Sequence, residues 1–327
     1  MKSLPPSNRK PKTAFLFPGS GSQHPGMGLE LYRRVPAVRD ALDALPPLAS
    51  PGLRDIMFYG PENKLFPPVD SPTPSLFFEA TVALSLSVAA ALRAAGARPD
   101  CAAGRSVGEF AAFAFSGAVA PDFCFKAIRE FSRLGQRNCL ERPSVLLTVY
   151  GAGRRDLEKA CSALVRGGRV CELVNFYSRL NAGVAGMDAD LAAPFRALLP
   201  KRARVKPCKE VGAFHTSLFA DTAAAVAALA AAETFSEPAC GLYCASDARR
   251  AAAPSRLRSR FARAVDGPVL WEETLRALLR DGVRTFVELA PGAMLTEFIC
   301  DLPPGAEVLR TDTPENYAGT LARLVEK

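Results

Sequence analysis

The sequence predicts an α/β protein whose large domain carries a smaller inserted unit. A short apolar strand near the N-terminus (TAFLF) runs into a glycine-rich loop (PGSGSQ), which is typical of an α/β unit. A second brief apolar segment enters a helix through a glycine-flanked serine, and short strands and helices alternate between residues 144 and 205. With 327 residues, 49% of them hydrophobic and 23% charged, the chain is long enough to bury a sizeable core.

The N-terminal segment differs from the rest in composition. Residues 1–12 (MKSLPPSNRKPK) are basic and proline-rich, which predicts a flexible tail. No apolar segment of a secretory signal follows the lysines before the strand at residues 13–17, so we expect a cytoplasmic protein. Farther along, the helical pattern from Leu76 to Ala95 ends at Gly96, as a helix C-terminus should.

The inserted unit is predicted from the order of its elements. Between residues 144 and 205 the pattern is strand, helix, strand, strand, helix, and a closing strand is expected at RARVKPC (residues 202–208). This order is typical of a ferredoxin-like unit. We assign residues 141–205 to it, and residues 13–140 and 206–327 to the large domain.

Several classes of protein are disfavoured by composition. The most apolar run, Ala80 to Leu92, is too short for a bilayer, so we expect no membrane span. Nine cysteines without a CxxC pair predict reduced thiols rather than disulfides or a metal site. The loop GSGSQH has His24 where a dinucleotide loop needs a third glycine, so no cofactor is expected. We expect a monomer.

The chain is basic, with a formal net charge of +8. Six arginines lie close together in its C-terminal third and could steer an acidic partner, or could form an ordinary solvated face. They are Arg249, Arg250, Arg256, Arg258, Arg260 and Arg263. No zinc-finger or RNP1-like pattern accompanies them, so we do not expect nucleic acid.

The segment GRSVG (residues 104–108) carries the candidate nucleophile, Ser106. It fits GxSxG, in which a sharp strand-to-helix turn exposes the serine hydroxyl. The same serine and Glu109 also fit a capping box, so a helix start without chemistry is the alternative. A serine needs a base, usually histidine, and the chain has only His24 and His215.

These residues resemble the malonyl-CoA:acyl-carrier-protein transacylases and the acyltransferase domains of polyketide synthases. Six segments match the family's conserved blocks, in the family's order, from Thr13 to about Thr296. They are FLFPGSGSQHPGMG, GRSVGEF, LVNFYSRLNAGVAG, GAFHTSLF, GPVLW and VELAPGAMLT. The resemblance implies an α/β-hydrolase-like large subdomain with a parallel sheet, and a discrete enzyme that works through an acyl-Ser106 ester.

The resemblance also implies roles for individual residues. His215 would be the base, with its second ring nitrogen held by a backbone carbonyl near Ala264. The backbone N–H groups of Ser20 and Val107 would form the oxyanion hole. Asn175, in the LVNFYS segment, would line the substrate pocket.

Two departures from the family concern the acyl pocket. The family's carboxylate-binding arginine aligns with Phe131, so we expect a monoacyl rather than a malonyl substrate. Arg105 replaces the family's histidine and could bind a carboxylate, touch a phosphopantetheine phosphate or point outward. Arg133 could serve instead if the local register slips by two. Phe214, in the AFH version of the histidine block, goes with unbranched acyl groups.

The resemblance therefore implies transfer of an acyl group from acyl-CoA or an acyl-carrier protein to the phosphopantetheine thiol of an acidic acyl carrier protein. The pathway would be polyketide or fatty acid biosynthesis. Three alternatives stay open. They are an editing acyl hydrolase, a malonyl transacylase that uses Arg105, and a non-catalytic scaffold, which intact Ser106 and His215 disfavour.

Overall fold

The computed structural model of the protein describes residues 11–45, 47–68, 71–187, 190–208, 212–251, 253–299 and 303–325. Its strands are β1 (Lys12–Phe17), β2 (Cys101–Gly104), β3 (Val145–Tyr150), β4 (Cys171–Ser178), β5 (Asn181–Gly186), β6 (Arg204–Cys208), β7 (Gly241–Cys244), β8 (Arg249–Ala251), β9 (Val283–Glu288) and β10 (Glu307–Arg310). Its helices are α1 (Leu29–Arg34), α2 (Pro36–Asp43), α3 (Leu53–Tyr59), α4 (Glu62–Leu65), α5 (Phe77–Ala94), α6 (Gly108–Phe115), α7 (Pro121–Glu141), α8 (Arg154–Arg166), α9 (Ala192–Ala197), α10 (Ala220–Ala231), α11 (Pro254–Asp266), α12 (Trp271–Arg280), α13 (Met294–Phe298) and α14 (Pro314–Val325). A 3₁₀ helix covers Ser217–Phe219.

The large sheet has the strand order β10-β9-β1-β2-β7-β8, and all neighbours are parallel except β7 and β8. The alternating side chains of β1 pack into two different cores, with Phe15 and Phe17 in one and Ala14 and Leu16 in the other. A strand buried on both faces is typical of a parallel sheet covered by helices. The predicted α/β fold with a parallel sheet is therefore confirmed.

The start of β1 corrects one boundary. Lys12, assigned to the tail, is the first residue of the strand and pairs with Val283. Its backbone N–H donates to the carbonyl of Gly282. Of the rest of the predicted tail, Pro11 is described and residues 1–10 lie outside the described residues.

The small sheet is antiparallel, with the strand order β4-β5-β3-β6, and its strands and helices follow one another as predicted for a ferredoxin-like unit. Leu147 and Val149 of β3 pack with Leu157 of α8 and Phe195 of α9 in a separate core. Strand β6 extends past the boundary drawn after residue 205.

Helix α5 is long and apolar enough to cross a membrane by length and composition. However, 83% of its apolar window is buried inside the protein, where α5 packs against α2, α6 and α7. It is thus a core helix, and it is longer than the apolar run recognised in the sequence.

Eight of the nine cysteines are free thiols, and Cys300 lies outside the described residues.

Candidate active site

Ser106 lies on the sharp turn between β2 and α6, with a left-handed φ of 54°. The flanking glycines are sterically required. A Cβ at Gly104 would lie 2.1 Å from the carbonyl group of Gly108, and one at Gly108 would lie 2.2 Å from the carbonyl oxygen of Phe17. The GxSxG pattern thus lets the chain turn tightly enough to expose the serine hydroxyl.

The serine hydroxyl lies beside His215, which comes from a distant part of the sequence. Ser106 Oγ lies 2.8 Å from His215 Nε2, within hydrogen-bonding distance. His215 lies in the loop before the 3₁₀ helix and also has a left-handed φ, of 66°. Its Nδ1 lies 3.1 Å from the carbonyl oxygen of Gly267. With Nδ1 donating to that carbonyl, Nε2 is the basic nitrogen facing the serine.

The carbonyl that holds His215 corrects the expectation of one near Ala264. Ala264 lies inside α11, whose last residue is Asp266. Gly267 follows the helix in an extended conformation (φ −75°, ψ 154°), so its carbonyl can turn toward the imidazole.

Burial sets the protonation state of His215. The imidazole is buried, and the loss of solvation lowers its pKa to about 4, assisted by the positive charge of Arg105 and opposed by the hydrogen bond to Gly267. The ring is therefore neutral at physiological pH, which is the form that can accept the proton of Ser106.

The segment that follows Gly267 also joins the two sheets. Val269 N–H donates to Val174 O at 2.7 Å, and Phe176 N–H donates to Val269 O at 2.8 Å. These bonds attach β4 of the small sheet to the residues that position the imidazole.

The first glycine loop lies against the turn at Ser106. A Cβ at Gly19 would lie 2.3 Å from the carbonyl oxygen of Arg105, so only glycine permits this approach. The next residue, Ser20, lines the same cavity as Ser106. No described group accepts a hydrogen bond from the backbone N–H of Ser20 or of Val107.

One wall of the cavity is aromatic. The ring centroid of Phe131 lies 5.1 Å from that of Phe78 and 5.1 Å from that of Phe214. All three rings are buried. The position expected to hold a carboxylate-binding arginine is therefore part of an apolar wall.

Arg105 points into the cavity, so the outward alternative is wrong. The side chain donates to the carbonyl of Ser20, and its Nη2 approaches Met294 Sδ at 2.9 Å. Its guanidinium lies over the ring of Tyr177, 5.2 Å from the centroid. Arg105 is only 3% exposed, no described carboxylate pairs with it, and its Nε has no hydrogen-bond partner.

Arg133, the other candidate for a cation, lies elsewhere. It pairs with Glu130 at 2.7 Å and is about half exposed on α7, outside the residues that line the cavity. A slipped register is therefore not observed.

Asn175 lines the cavity and is 3% exposed. Its Nδ2 donates to the hydroxyl of Tyr177 at 3.1 Å, while its Oδ1 has no partner. An unpartnered buried acceptor in the cavity beside Ser106 suits an N–H donor on a ligand.

Further lining residues were not predicted from the sequence. They are Gly21, Gln23, Phe78, Leu146, Thr148, Tyr150, Tyr177, Cys208, Met294 and Phe298. Only Tyr177 could have been predicted, because it lies two residues after Asn175 on the same strand and so on the same face. The others come from segments whose approach to Ser106 depends on the tertiary fold.

The arginine-rich segment is partly used inside the protein. Arg258 donates to the backbone carbonyls of Ala230 and Glu233, and Arg260 pairs with Asp247 at 2.7 Å. These two arginines therefore bind α11 to neighbouring segments of the protein, rather than attracting an acidic partner from a distance.

Comparisons with known proteins identify the family of the chain. A family model described as the acyl transferase domain matches residues 14–302. The malonyl CoA-acyl carrier protein transacylase of Bacillus subtilis is 23% identical over 320 residues, which cover 97% of this chain and 98% of the relative.

Solved structures share the fold. An acyl-carrier-protein-S-malonyltransferase from Bartonella henselae superposes with a TM-score of 0.86 at 23% identity, covering 97% of this chain and 100% of the other. PlMCAT, solved in complex with AntF, a holo type II polyketide synthase acyl-carrier protein, gives a TM-score of 0.86 at 21% identity, covering 95% of this chain and 99% of PlMCAT. Because the family model spans most of the sequence, the chain belongs to the acyl transferase domain family and is an acyltransferase.

Proposed function

We propose that the protein transfers a monoacyl group from a CoA or carrier-protein thioester to the phosphopantetheine thiol of an acyl carrier protein, through an ester on Ser106. The observation that carries this proposal is the pairing of Ser106 with a neutral, buried His215 beside an aromatic wall. The carrier as acceptor is supported by relatives named as acyl carrier protein transacylases and by the PlMCAT complex.

In the first half-reaction, His215 Nε2 takes the proton of Ser106 as Oγ attacks the thioester carbonyl. The N–H groups of Ser20 and Val107 stabilise the negative charge that develops on the carbonyl oxygen. The C–S bond then breaks, and the leaving thiolate receives the proton held by His215. The products are acyl-Ser106 and a free thiol.

The second half-reaction reverses these steps. His215 takes the proton of the incoming phosphopantetheine thiol, whose sulfur attacks the ester carbonyl. As the ester C–O bond breaks, Ser106 Oγ recovers the proton. The hydrogen bond from His215 Nδ1 to Gly267 keeps the imidazole aimed at Ser106 throughout both halves.

The choice of a monoacyl group follows from the aromatic wall. A carboxylate placed against Phe78, Phe131 and Phe214 would lose its hydration without gaining a cation, which is costly. An apolar chain gains from the same contacts. Phe214 packs closely on α7 at Gly135, where a Cβ would lie 2.9 Å from the ring.

One observation favours a second candidate, a malonyl group. The guanidinium of Arg105 is buried in the same cavity and has no described carboxylate partner. A buried cation of this kind is stabilised by an anionic ligand, and the malonyl carboxylate would be one.

The two candidates are separated by competition between acetyl-CoA and malonyl-CoA at equal concentration, followed by intact-protein mass spectrometry. The proposal predicts mainly acetyl-enzyme from the unaltered protein and from Phe131→Leu, which adds no charge. Phe131→Arg should increase the malonyl share. Mainly malonyl-enzyme that is lost selectively in Arg105→Gln would establish the second candidate. Release of free acid from the adduct in the presence of holo carrier protein would indicate an editing hydrolase instead.

A further inference from the structure

One face of the small sheet leads from the catalytic cavity to the protein surface. In the register of β3 and β6, Leu146 pairs with Cys208, Thr148 with Lys206, and Tyr150 with Arg204. Side chains two residues apart lie on the same face of a strand, so all three pairs share one face. The intervening residues of β3, Leu147 and Val149, pack on the opposite side in the core of the small subdomain.

The shared face becomes polar toward its outer end. Leu146, Thr148, Tyr150 and Cys208 line the catalytic cavity. A second groove lies beside it, lined by Tyr150, Arg196, Lys201, Ala203, Arg204, Val205 and Lys206. Because Tyr150 borders both, the groove continues from the cavity.

The groove has cations without counterions. Four of its seven lining residues are lysine or arginine, and none is acidic. Arg204 and Lys206 are exposed, and neither forms an ion pair with a residue that the structure describes. They lie on β6, the edge strand of the sheet, so an incoming ligand can reach them.

The shared face is long enough to contact two well-separated parts of one substrate. From Leu146 to Tyr150 the strand advances four residues, about 14 Å. A phosphopantetheine arm has two amide units between its thiol and its phosphate, so its phosphate lies well away from the reacting carbonyl. The phosphate therefore belongs farther from Ser106 than the neighbouring Arg105, on the side where the cavity adjoins the groove through Tyr150.

We propose that Arg204 and Lys206 bind the phosphate of the phosphopantetheine arm while its thiol or thioester lies at Ser106. This inference rests on the proposed function, because it assigns the far end of the same substrate. CoA and holo carrier protein both present this phosphate, so the site serves the donor, the acceptor or both. Charge-assisted contacts of this kind anchor the arm without taking part in the chemistry.

The test compares thioesters that differ in phosphate. Arg204→Ala/Lys206→Ala is assayed with an acyl-CoA and with the corresponding acyl-pantetheine, which has no phosphate. The matched control is Arg155→Ala/Lys159→Ala, which removes the same charge from exposed positions of α8, on the other side of the sheet. We expect kcat/KM for acyl-CoA to fall about tenfold in the groove variant only, mostly through KM, with acyl-pantetheine unaffected.

The source of the phosphate is read from the two half-reactions. A lower kcat/KM of the groove variant with acyl-CoA would place the CoA phosphate in the groove. A lower rate of transfer to holo carrier protein, measured at a fixed amount of acyl-enzyme, would place the carrier's phosphate there. Equal loss with acyl-pantetheine, or equal loss in the control variant, would overturn the assignment.

Binding separates this inference from the proposed function. Calorimetry of CoA binding to Ser106→Ala, with and without the groove substitutions, needs no catalysis. Weaker CoA binding in the groove variant, with pantetheine binding unchanged, would support the phosphate site even if no acyl-enzyme ever formed. Unchanged CoA binding would overturn it even if acyl-Ser106 were observed.

Discussion

His215 Nδ1 lies 3.1 Å from the carbonyl oxygen of Gly267, two residues before the point where the chain bonds to the small sheet through Val269. A backbone carbonyl thus takes the place that a carboxylate holds in a Ser-His-Asp triad. The imidazole beside Ser106 is oriented by a segment that is itself fixed to both subdomains.

Gly267→Ala tests this orientation. A Cβ there would lie 2.6 Å from the carbonyl oxygen of Arg263, so the backbone must shift and move the Gly267 carbonyl with it. Small displacements of a catalytic group reduce rate strongly, and we expect kcat to fall up to about 100-fold with a smaller change in KM. Steady-state kinetics beside Gly319→Ala, an open helical position, measure it. Unchanged kcat would show that the carbonyl does not position the imidazole.

The pH profile reports the pKa of His215. Because burial lowers this pKa to about 4, kcat/KM should stay level from neutral pH down to about pH 5 and fall below that as the base becomes protonated. The charge of Arg105 also lowers the pKa, so Arg105→Gln should move the acidic limb to higher pH. Fluorescence of the buried Trp271 checks that the fold persists. An acidic limb near pH 6.5 in the unaltered enzyme would contradict the assignment.

Gly108→Ala tests the packing behind the nucleophile turn. Its Cβ would meet the carbonyl oxygen of Phe17 at 2.2 Å, a backbone atom that cannot swing away. We expect the free energy of unfolding to fall by about 1–3 kcal/mol. The control, Gly319→Ala, meets nothing within 4 Å inside α14 and should raise it by about 0.5–1 kcal/mol. Urea titrations measure the free energy of unfolding of both variants. An equal change in the two would contradict this packing.

Glu109 makes stability depend on pH. Its carboxyl is buried, and desolvation raises its pKa to about 8 despite the N–H of Ala245 at 3.0 Å. The native state therefore binds more protons than the unfolded state between about pH 4.3 and 8, so stability falls as pH rises through that range. Relative to Glu109→Gln, the unaltered protein should lose up to about 1.4 kcal/mol per pH unit. Parallel pH dependences of the two proteins would refute the buried, protonated carboxyl.

The sequence predicts local backbone features better than the directions in which side chains point. The turn at Ser106 and the element order of the small subdomain follow from glycine spacing and from periodicity, which are local properties. The shift from Ala264 to Gly267 is three residues, less than one helical turn, and helix ends are hard to place more closely from sequence. The direction of Arg105 depends on Met294 and Tyr177, which come from distant segments that only the tertiary fold brings together.

The proposed function requires that an acyl group rests on Ser106 before it moves to a carrier protein. Intact-protein and peptide mass spectrometry after incubation with acetyl-CoA tests it most directly, with Ser106→Ala and His215→Ala beside the unaltered enzyme. We predict one acyl group on the peptide containing Ser106, its absence in Ser106→Ala, formation about 10²–10⁴-fold slower in His215→Ala, and its transfer to added holo carrier protein. Acyl transfer that persists undiminished in Ser106→Ala, or an adduct on another residue, would contradict the account.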